Sequence, residues 1–275
     1  MLITVDTGGT KTLVAGFDAS GSIASNTKFP TPKDQTRYIE TLKSAIAEVS
    51  GTESIDAIVL ALPGIIKDGT ALWCNNLGWK DFPARDVLQK IFPGIDILVE
   101  NDANLAGLGE TRMLEPVPDS SLYVTFSTGV GTSLVIDGKL SHHISQSEGG
   151  HGILEYDGQR KSWEEIASGK RLYETYGMYA SEIKDPKIWD DAADRMSRGL
   201  LMLIPFMQPE VVIIGGSMGS YFDRYSHKLI SIIDDYLMRE LARPRIIAAS
   251  HPEEAVIYGC YYYALDELTT ATPAS

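Results

Sequence analysis

The sequence predicts an α/β protein built from two related lobes. Three observations support this prediction. Strand-like and helix-like segments alternate along the chain, a strand meander near the start recurs about 120 residues later, and 275 residues suffice for two hydrophobic cores. The composition agrees, because 44% hydrophobic and 22% charged residues are typical of a globular chain.

The first meander opens the chain. Leu2 to Val5 and Thr12 to Phe17 are predicted strands, and a tight turn at Thr7 to Thr10 separates them. The second meander repeats this pattern with strands at Leu122 to Phe126 and Ser133 to Ile136. Each meander has a Thr-Gly turn directly after its first strand, so each lobe is expected to present backbone N–H groups and a hydroxyl there.

The remaining segments follow in α/β order. Apolar residues at helical spacing predict a helix from Tyr38 to Val49, and further strands and helices are predicted at 55–62, 97–99, 103–110, 211–214 and 221–239. The proline-containing segment Pro116 to Asp119 is the predicted boundary, which gives lobes of 1–115 and 116–254. A C-terminal helix at about 255–270 is expected to pack back on the first lobe.

Charge and cysteine content exclude several classes of function. Lys and Arg number 24 and Asp and Glu 37, a net charge of −13 that repels a phosphate backbone, so no nucleic-acid partner is expected. Cys74 and Cys260 are too few for a disulfide framework. Neither a signal peptide nor a membrane segment is predicted, since Leu200 to Met207 is short and contains Pro205. We therefore expect a cytoplasmic protein without a membrane partner.

The turn after the first strand has the residues of a phosphate site. In Asp6-Thr7-Gly8-Gly9-Thr10-Lys11, glycines allow close approach to backbone N–H groups, and the acid is suited to hold Mg²⁺ through water. A plain hairpin turn with an incidental Asp explains this segment equally well. The second turn, Ser127 to Gly131, favours a phosphate clamp made by both lobes. A Walker loop is absent, and Gly129-Val130-Gly131 lacks the third glycine of a dinucleotide site.

The segment Glu100 to Asn104 lies where a strand meets a helix. Polar side chains at such a position point into the crevice at the carboxyl ends of a sheet. Asp102 is therefore the candidate general base. An ordinary helix N-cap, for which Asn and Asp are favoured, is the alternative explanation.

Carboxylates and an imidazole follow in Glu148-Gly149-Gly150-His151 and Trp163-Glu164-Glu165. The stretch around them has little regular pattern, which is typical of a binding loop, and a polyol would use such groups. The alternatives are surface polar residues or a weak metal site that includes His142 and His143. Structural zinc is disfavoured because no cysteine lies nearby.

Together these segments resemble the ROK sugar kinases of the actin-like ATPase superfamily. The resemblance also includes Pro63-Gly64, Asn76-Leu-Gly-Trp79, Asp137-Gly-Lys-Leu140 and Gly215-Gly216, in the family's order along nearly the whole chain. It implies two α/β lobes of the ribonuclease H type, with a central cleft where ATP and sugar meet. The implied activity is an ATP-dependent, glucokinase-like hexose kinase.

The resemblance also implies roles residue by residue. Asp102 would take the proton from the attacking hydroxyl, and the sugar would be bound by Asn76, Asn101, Asp102, Glu148, His151 and Glu164. ATP would be bound by Asp6, Gly8, Gly9, Thr10, Lys11, Thr128, Gly129, Gly215 and Gly216. Asp6 would also lie near Mg²⁺, with water between them.

Two departures from the family pattern matter. Many relatives have a zinc loop in which the His of a Glu-x-Gly-His motif joins three cysteines, but Tyr156 to Ser162 contains none. Zinc is therefore predicted absent, and another interaction must hold the loop that positions His151. Thr132-Ser133 stands where the family usually continues with glycines, which leaves the choice between ATP and polyphosphate open.

Two other functions stay open at this point. The family includes sugar-binding transcriptional repressors, but those begin with a helix-turn-helix domain, whereas the first strand here begins at residue 2. An actin-like kinase for another acceptor, such as an N-acetylhexosamine, is the second alternative. Homodimers are common in the family, so the resemblance allows a homodimer, although no segment identifies an interface.

Overall fold

The computed structural model describes residues 1–141, 144–252 and 254–270. Unit 1 takes in Met1–Gly109 and the residues from Glu254 onward, and unit 2 lies within Glu110–Glu253. The first boundary falls before the predicted limit at residue 115, inside a helix that continues to Arg112. His142 and His143 of the alternative metal site lie outside the described residues.

Unit 1 begins with the predicted meander. In chain order it contains β1 (Leu2–Thr7), β2 (Lys11–Phe17), β3 (Ile23–Pro30), α1 (Gln35–Ser50), β4 (Ala57–Leu62), β5 (Ile65–Lys67), β6 (Thr70–Cys74), β7 (Trp79–Phe82), α2 (Ala84–Ile91), β8 (Asp96–Asn101) and α3 (Asp102–Arg112). The main sheet has the order β3-β2-β1-β4-β8, and β5-β6-β7 form a separate small sheet. β1, β4 and β8 run parallel, so their carboxyl ends share one edge.

Helix α1 forms where its apolar spacing predicts it. The side chain of Asp34 caps its N-terminus, and Gly51 follows its last residue. One face is buried in the core of unit 1, with Tyr38, Leu42, Ile46 and Val49. The Tyr38 hydroxyl also shares a hydrogen bond of 2.6 Å with Oγ1 of Thr7, which connects the helix to the end of β1.

Unit 2 repeats this plan. It contains β9 (Ser120–Phe126), β10 (Val130–Ile136), β11 (Lys139–Leu140), β12 (Ile153–Tyr156), β13 (Gln159–Ser162), α4 (Trp163–Ala167), α5 (Gly169–Tyr176), α6 (Pro186–Met207), β14 (Val211–Gly215), α7 (Gly216–Gly219), α8 (Ser226–Tyr236) and β15 (Arg245–Ala248). Its sheet has the order β11-β10-β9-β14-β15, with β9 antiparallel to β10 and parallel to β14. The two sheets have the same topology, which confirms the internal repeat.

The stretch from Glu148 to Glu165 is more regular than predicted. A 3-10 turn at Gly149–His151 leads into the β12–β13 hairpin and then into α4. The binding-loop expectation was therefore wrong about local structure. The turn residues Asp157 and Gly158 both have positive φ angles, 52° and 70°, as a two-residue type I′ hairpin requires.

The last helix, α9 (Ala255–Thr270), belongs to unit 1, where it packs on β1 and β4. It also crosses α3 closely, because a Cβ on Gly259 would collide with the carbonyl of Leu105, and one on Gly109 with that of Ala255. Within the described ranges, no helix has both the length and the hydropathy needed to cross a bilayer.

Candidate active site

The predicted catalytic residues of unit 1 lie at the shared carboxyl edge of the parallel strands. Asp6 is near the end of β1, Asn101 ends β8, and Asp102 begins α3. Polar side chains at this edge of an open α/β sheet face the crevice that ligands use. The charge of Asp102 acts directly on Asp6, so the structure brings these two predicted residues together.

Asn101, rather than Asp102, caps helix α3. Its Oδ1 accepts the N–H of Asn104 at 3.0 Å, and its Nδ2 donates to the carbonyl of Gly64 at 2.8 Å. The carboxyl of Asp102 accepts the N–H of Ala103 through Oδ1 at 2.8 Å. Its Oδ2 makes no hydrogen bond to another residue in the part of the chain that is described. The N-cap explanation therefore applies to Asn101, and Asp102 keeps one oxygen for a ligand.

The two carboxyl groups have raised pKa values. Burial raises the pKa of Asp102 to about 6, against backbone hydrogen bonds that lower it. Burial also raises the pKa of Asp6 to about 7, with the charge of Asp102 as the second cause and Lys28 opposing it. A carboxyl with a pKa near neutrality is suited to general-base catalysis. A buried acid beside a second acid also fits Mg²⁺, which takes oxygen ligands and keeps several waters.

The first glycine turn has its carbonyl groups bound from outside the turn. Oγ1 of Thr31 donates to the carbonyl of Gly8 at 2.8 Å, and the Thr31 N–H donates to the carbonyl of Thr10 at 2.9 Å. Nζ of Lys33 donates to the carbonyl of Gly9 at 2.8 Å. The N–H groups of Gly9 and Thr10 make no hydrogen bond within the described chain. Two successive free N–H groups in a turn can bind an anion.

Lys33 also connects this turn to Asn76. Its Nζ donates to the Asn76 carbonyl at 2.5 Å, and the exposed Asn76 side chain lies beside Gly9. Sequence reasoning missed Thr31 and Lys33, which follow the third strand. Only the β2–β3 register, in which Lys11 pairs with Pro30, brings them to the turn.

The glycine turn of unit 2 is held by other elements. The carbonyl of Ser127 accepts the N–H of Gly169, at the start of α5, at 2.7 Å. The N–H of Val130 donates to Oε2 of Glu164 at 3.0 Å, and a Cβ on Gly129 would collide with that carboxylate. The structure therefore brings the predicted sugar ligand Glu164 onto the predicted phosphate turn.

A cavity of about 220 Å³ lies beside Thr128 and Glu164. Its charged lining consists of Lys161, Glu164, Glu165, Lys170, Arg171 and Glu174. Lys170 and Arg171 lie 3.8 and 3.5 Å from Glu174, but these ion pairs are exposed and therefore weak. The three cations of this lining are balanced by its three carboxylates. Sequence analysis did not identify these cations, because isolated Lys and Arg residues among acidic residues are typical of any solvent-exposed helix.

The Glu148 to His151 segment lies on β10. The N–H of Gly149 donates to Oγ1 of Thr132 at 3.0 Å, and a Cβ on Gly150 would collide with the β10 backbone. Thr132, a departure from the family glycines, therefore helps to hold this segment in place. His151 is exposed, and its N–H donates to the Glu148 carbonyl at 3.0 Å.

The described residues around this segment form no ligand set for zinc. Among the residues with described positions, no three His, Cys, Asp or Glu side chains form a group that could hold a metal. The two cysteines of the sequence, Cys74 and Cys260, are buried in unit 1.

Gly215 and Gly216 lie where β14 leads into α7. Gly216 has a φ of 74°, in the left-handed region, and a Cβ there would meet Oγ1 of Thr125 at 2.5 Å. A Cβ on Gly215 would collide with the Tyr123 hydroxyl. Close packing against β9 is enough to explain both glycines. Their contact with adenosine stays a prediction.

Comparison with known proteins assigns the chain to a family. The profile of the ROK family matches residues 2–267, nearly the whole chain. The chain belongs to the ROK family. The family and the fold implied by the sequence resemblance are thereby confirmed.

Several relatives of the chain are named as kinases. N-acetylmannosamine kinase of Escherichia coli O7:K1 (strain IAI39 / ExPEC) is 29% identical, over 96% of this chain and 98% of its own. The ROK hexokinase from Thermus thermophilus is 25% identical, with a TM-score of 0.80 over 98% of this chain and 99% of that one. Inorganic polyphosphate/ATP-glucomannokinase from Arthrobacter sp. strain KM is 27% identical, with a TM-score of 0.72 over 96% and 98%.

Proposed function

We propose that this ROK sugar kinase transfers the γ-phosphoryl group of ATP to a hydroxyl of a hexose, with Asp102 as the general base. The observation behind this proposal is that Asp102, at the start of α3, has a raised pKa and one carboxyl oxygen that is not used by the helix cap. Asn101 provides the helix cap, and Asp102 retains Oδ2 and a pKa of about 6. A carboxyl in that state is ionised at neutral pH and accepts a proton readily.

The proposed reaction begins with the sugar hydroxyl against Oδ2 of Asp102. As the hydroxyl oxygen attacks the γ-phosphorus, its proton passes to Asp102, and the bond from the γ-phosphorus to the bridging oxygen breaks. ADP leaves with that electron pair. Phosphoryl transfer needs chiefly alignment and stabilisation of charge. A pKa of about 6 suits a proton acceptor that later returns the proton to solvent.

The phosphate chain is assigned to the two glycine turns. In unit 1 the free N–H groups of Gly9 and Thr10 would donate to it, with Gly8 and Lys11 completing the turn. In unit 2 the turn at Thr128 and Gly129 borders the cavity, whose lining has three cations and three carboxylates. Mg²⁺, when bound near Asp6, would neutralise phosphate charge.

The sugar is assigned to the polar side chains around Asp102 and on the unit 2 segments, namely Asn76, Asn101, Glu148, His151 and Glu164. Two acceptor classes remain. A neutral hexose such as glucose is proposed first, since relatives include a hexokinase and a glucomannokinase. An N-acetylhexosamine is the second candidate, because the relative at 29% identity over 96% of the chain is an N-acetylmannosamine kinase.

The proposed location follows from the donor. ATP is available in the cytoplasm, and the buried, unpaired Cys74 and Cys260 suit a reducing compartment. A homodimer remains an expectation from the family resemblance.

A coupled assay of ADP release tests the proposal. Glucose, mannose, N-acetylmannosamine and N-acetylglucosamine are offered with ATP, with and without Mg²⁺, and polyphosphate is offered with product detected as sugar phosphate. Asp102→Asn is expected to lower kcat by about 10²–10⁴-fold, the usual contribution of a general base, with sugar affinity nearly unchanged. Turnover within tenfold of the wild type in this variant would disprove the role of Asp102. No activity of the wild type on any of these sugars would disprove the acceptor class.

A further inference from the structure

The β12–β13 hairpin lies between two predicted sugar ligands. His151 precedes its first strand, and Glu164 follows its second. In the part of the chain that the structure describes, the hairpin has only two strands and joins no larger sheet. Such a hairpin is marginally stable in isolation, so the surface on which it packs decides where its ends lie.

Helix α6 forms part of that surface through the ring of Tyr156, while the strands also contact α4 and Leu154 packs on the core of unit 2. The guanidinium carbons of Arg195 and Arg198 lie 5.5 and 4.9 Å from the ring centroid, and Nζ of Lys161 lies 5.8 Å from it. These distances are within the range of cation–π attraction. Tyr156 is the last residue of β12, so the contact fixes the outer end of the hairpin on α6.

Both guanidinium groups are themselves held in position. Nε of the buried Arg195 donates to Oδ2 of Asp191 at 2.6 Å. Arg198 donates twice to Oδ2 of Asp194, at 3.0 and 2.9 Å. Because these cations are already ordered, little conformational entropy is lost when the ring packs on them.

The same part of α6 also holds the element that contains Glu164. The indole N–H of Trp163 donates to the Arg195 carbonyl at 3.2 Å, and its ring packs against Gly199. At the other end of the hairpin, the Trp163 N–H donates to the Gly152 carbonyl at 2.9 Å. A displacement of the hairpin therefore acts on His151 and Glu164 together.

We propose that Tyr156 is a positioning residue, whose ring on Arg195 and Arg198 fixes the hairpin and thereby sets the spacing of His151 and Glu164 for sugar binding. This inference rests on the proposed function. The hairpin contains no cysteine that could bind zinc, as the loop of many relatives does. Here the cation–π contact attaches the hairpin instead.

The kinetic test uses Tyr156→Ala, Tyr156→Phe and Tyr179→Ala. Tyr179 is the matched control, because it is an exposed tyrosine of unit 2 that stacks on Tyr173 at 4.5 Å. Tyr156→Ala is expected to raise the sugar KM about tenfold, the size of a partly buried cation–π contact, and the ATP KM less than about twofold. Tyr156→Phe, which retains the ring, should restore the wild-type sugar KM. An unchanged sugar KM in Tyr156→Ala, or no rescue by Phe, would overturn the proposal.

Hydrogen exchange gives a second test that does not need activity. In Tyr156→Ala the amides of residues 149–164 should exchange faster, while those of β9 and β14 stay protected; Tyr179→Ala should leave all of them unchanged. Arg198→Gln, a less buried change, should give a smaller acceleration in the same segment. Equal exchange in this segment for wild type and Tyr156→Ala refutes the attachment. Wild-type protein inactive on all sugars, with exchange accelerated as expected, refutes the proposed function alone.

Discussion

Asp102→Asn is expected to make the protein more stable at pH 8, although it should lower kcat by about 10²–10⁴-fold. The substitution keeps the shape of the side chain and an acceptor for the N–H of Ala103, at 2.8 Å in the wild type. It removes a charge that burial disfavours. The raised pKa of Asp102, from an ordinary value of 3.8 to about 6, measures that penalty.

The sign and size follow from the linkage between protonation and folding. Because the pKa is higher in the folded state, the protonated carboxyl favours folding below about pH 3.8, and this stability is lost as pH rises through 6. Two units of pKa correspond to about 3 kcal/mol, and the remaining exposure of Asp102 reduces this to about 1–3 kcal/mol. Asp6 adds to the gain, since its pKa is raised partly by the charge of Asp102.

Urea titrations at pH 4 and pH 8 measure the effect. The free energy of unfolding of Asp102→Asn, relative to wild type, should be about 1–3 kcal/mol higher at pH 8 than at pH 4. Asp96→Asn, at the exposed start of β8, is the control and should give the same difference at both pH values. If Asp102→Asn also gave a pH-independent difference, the buried charge would not be the cause, and the argument would fail.

Two further substitutions test the contacts made by Lys33 and by Gly199. Lys33→Met removes the donor to the carbonyls of Gly9 and Asn76. The KM values for ATP and for sugar should both rise about threefold to tenfold, which corresponds to the loss of one or two modest hydrogen bonds. Lys43→Met, at an exposed lysine, is the control, and unchanged KM values in Lys33→Met would contradict the role of Lys33. Gly199→Ala gains about 1 kcal/mol of helix propensity, but its Cβ would collide with Trp163, so the free energy of unfolding should fall by about 1–2 kcal/mol net. An increase in a urea titration would show that the indole can move aside.

The repeated meander could be predicted because its signal is local. Each copy has two short apolar strands around a glycine turn, and strand pairing within a copy needs only neighbouring residues. The position of Asp102 was predictable for a similar reason, since Glu100 to Asn104 marks the end of one element and the start of the next. The sequence could not decide which residue caps α3, because Asn101 and Asp102 are both favoured caps.

The β12–β13 hairpin was missed although a signal for it exists. Asp-Gly pairs at 68–69, 137–138 and 157–158 all have positive φ angles and all connect short antiparallel strands. Of these three pairs, only Asp137-Gly138 entered the sequence analysis. The strand Gln159–Ser162 has no apolar alternation, so the turn residues alone predict it. Lys33 was unpredictable for another reason, since it reaches the first turn only through strand pairing.

The two glycine turns have equivalent positions in the repeat, but their contacts differ. Duplication supplies each unit with the same strand–turn–strand, but the partners of each turn come from segments that differ. In unit 1 the partners Thr31 and Lys33 bind carbonyl oxygens, which leaves N–H groups free and a cation nearby. In unit 2 the partner is the Glu164 carboxylate, which binds the Val130 N–H and repels an anion. Under the proposed function, phosphate binding at the second turn would need nearby cations to offset Glu164, whereas at the first turn free backbone N–H groups would donate to the phosphate.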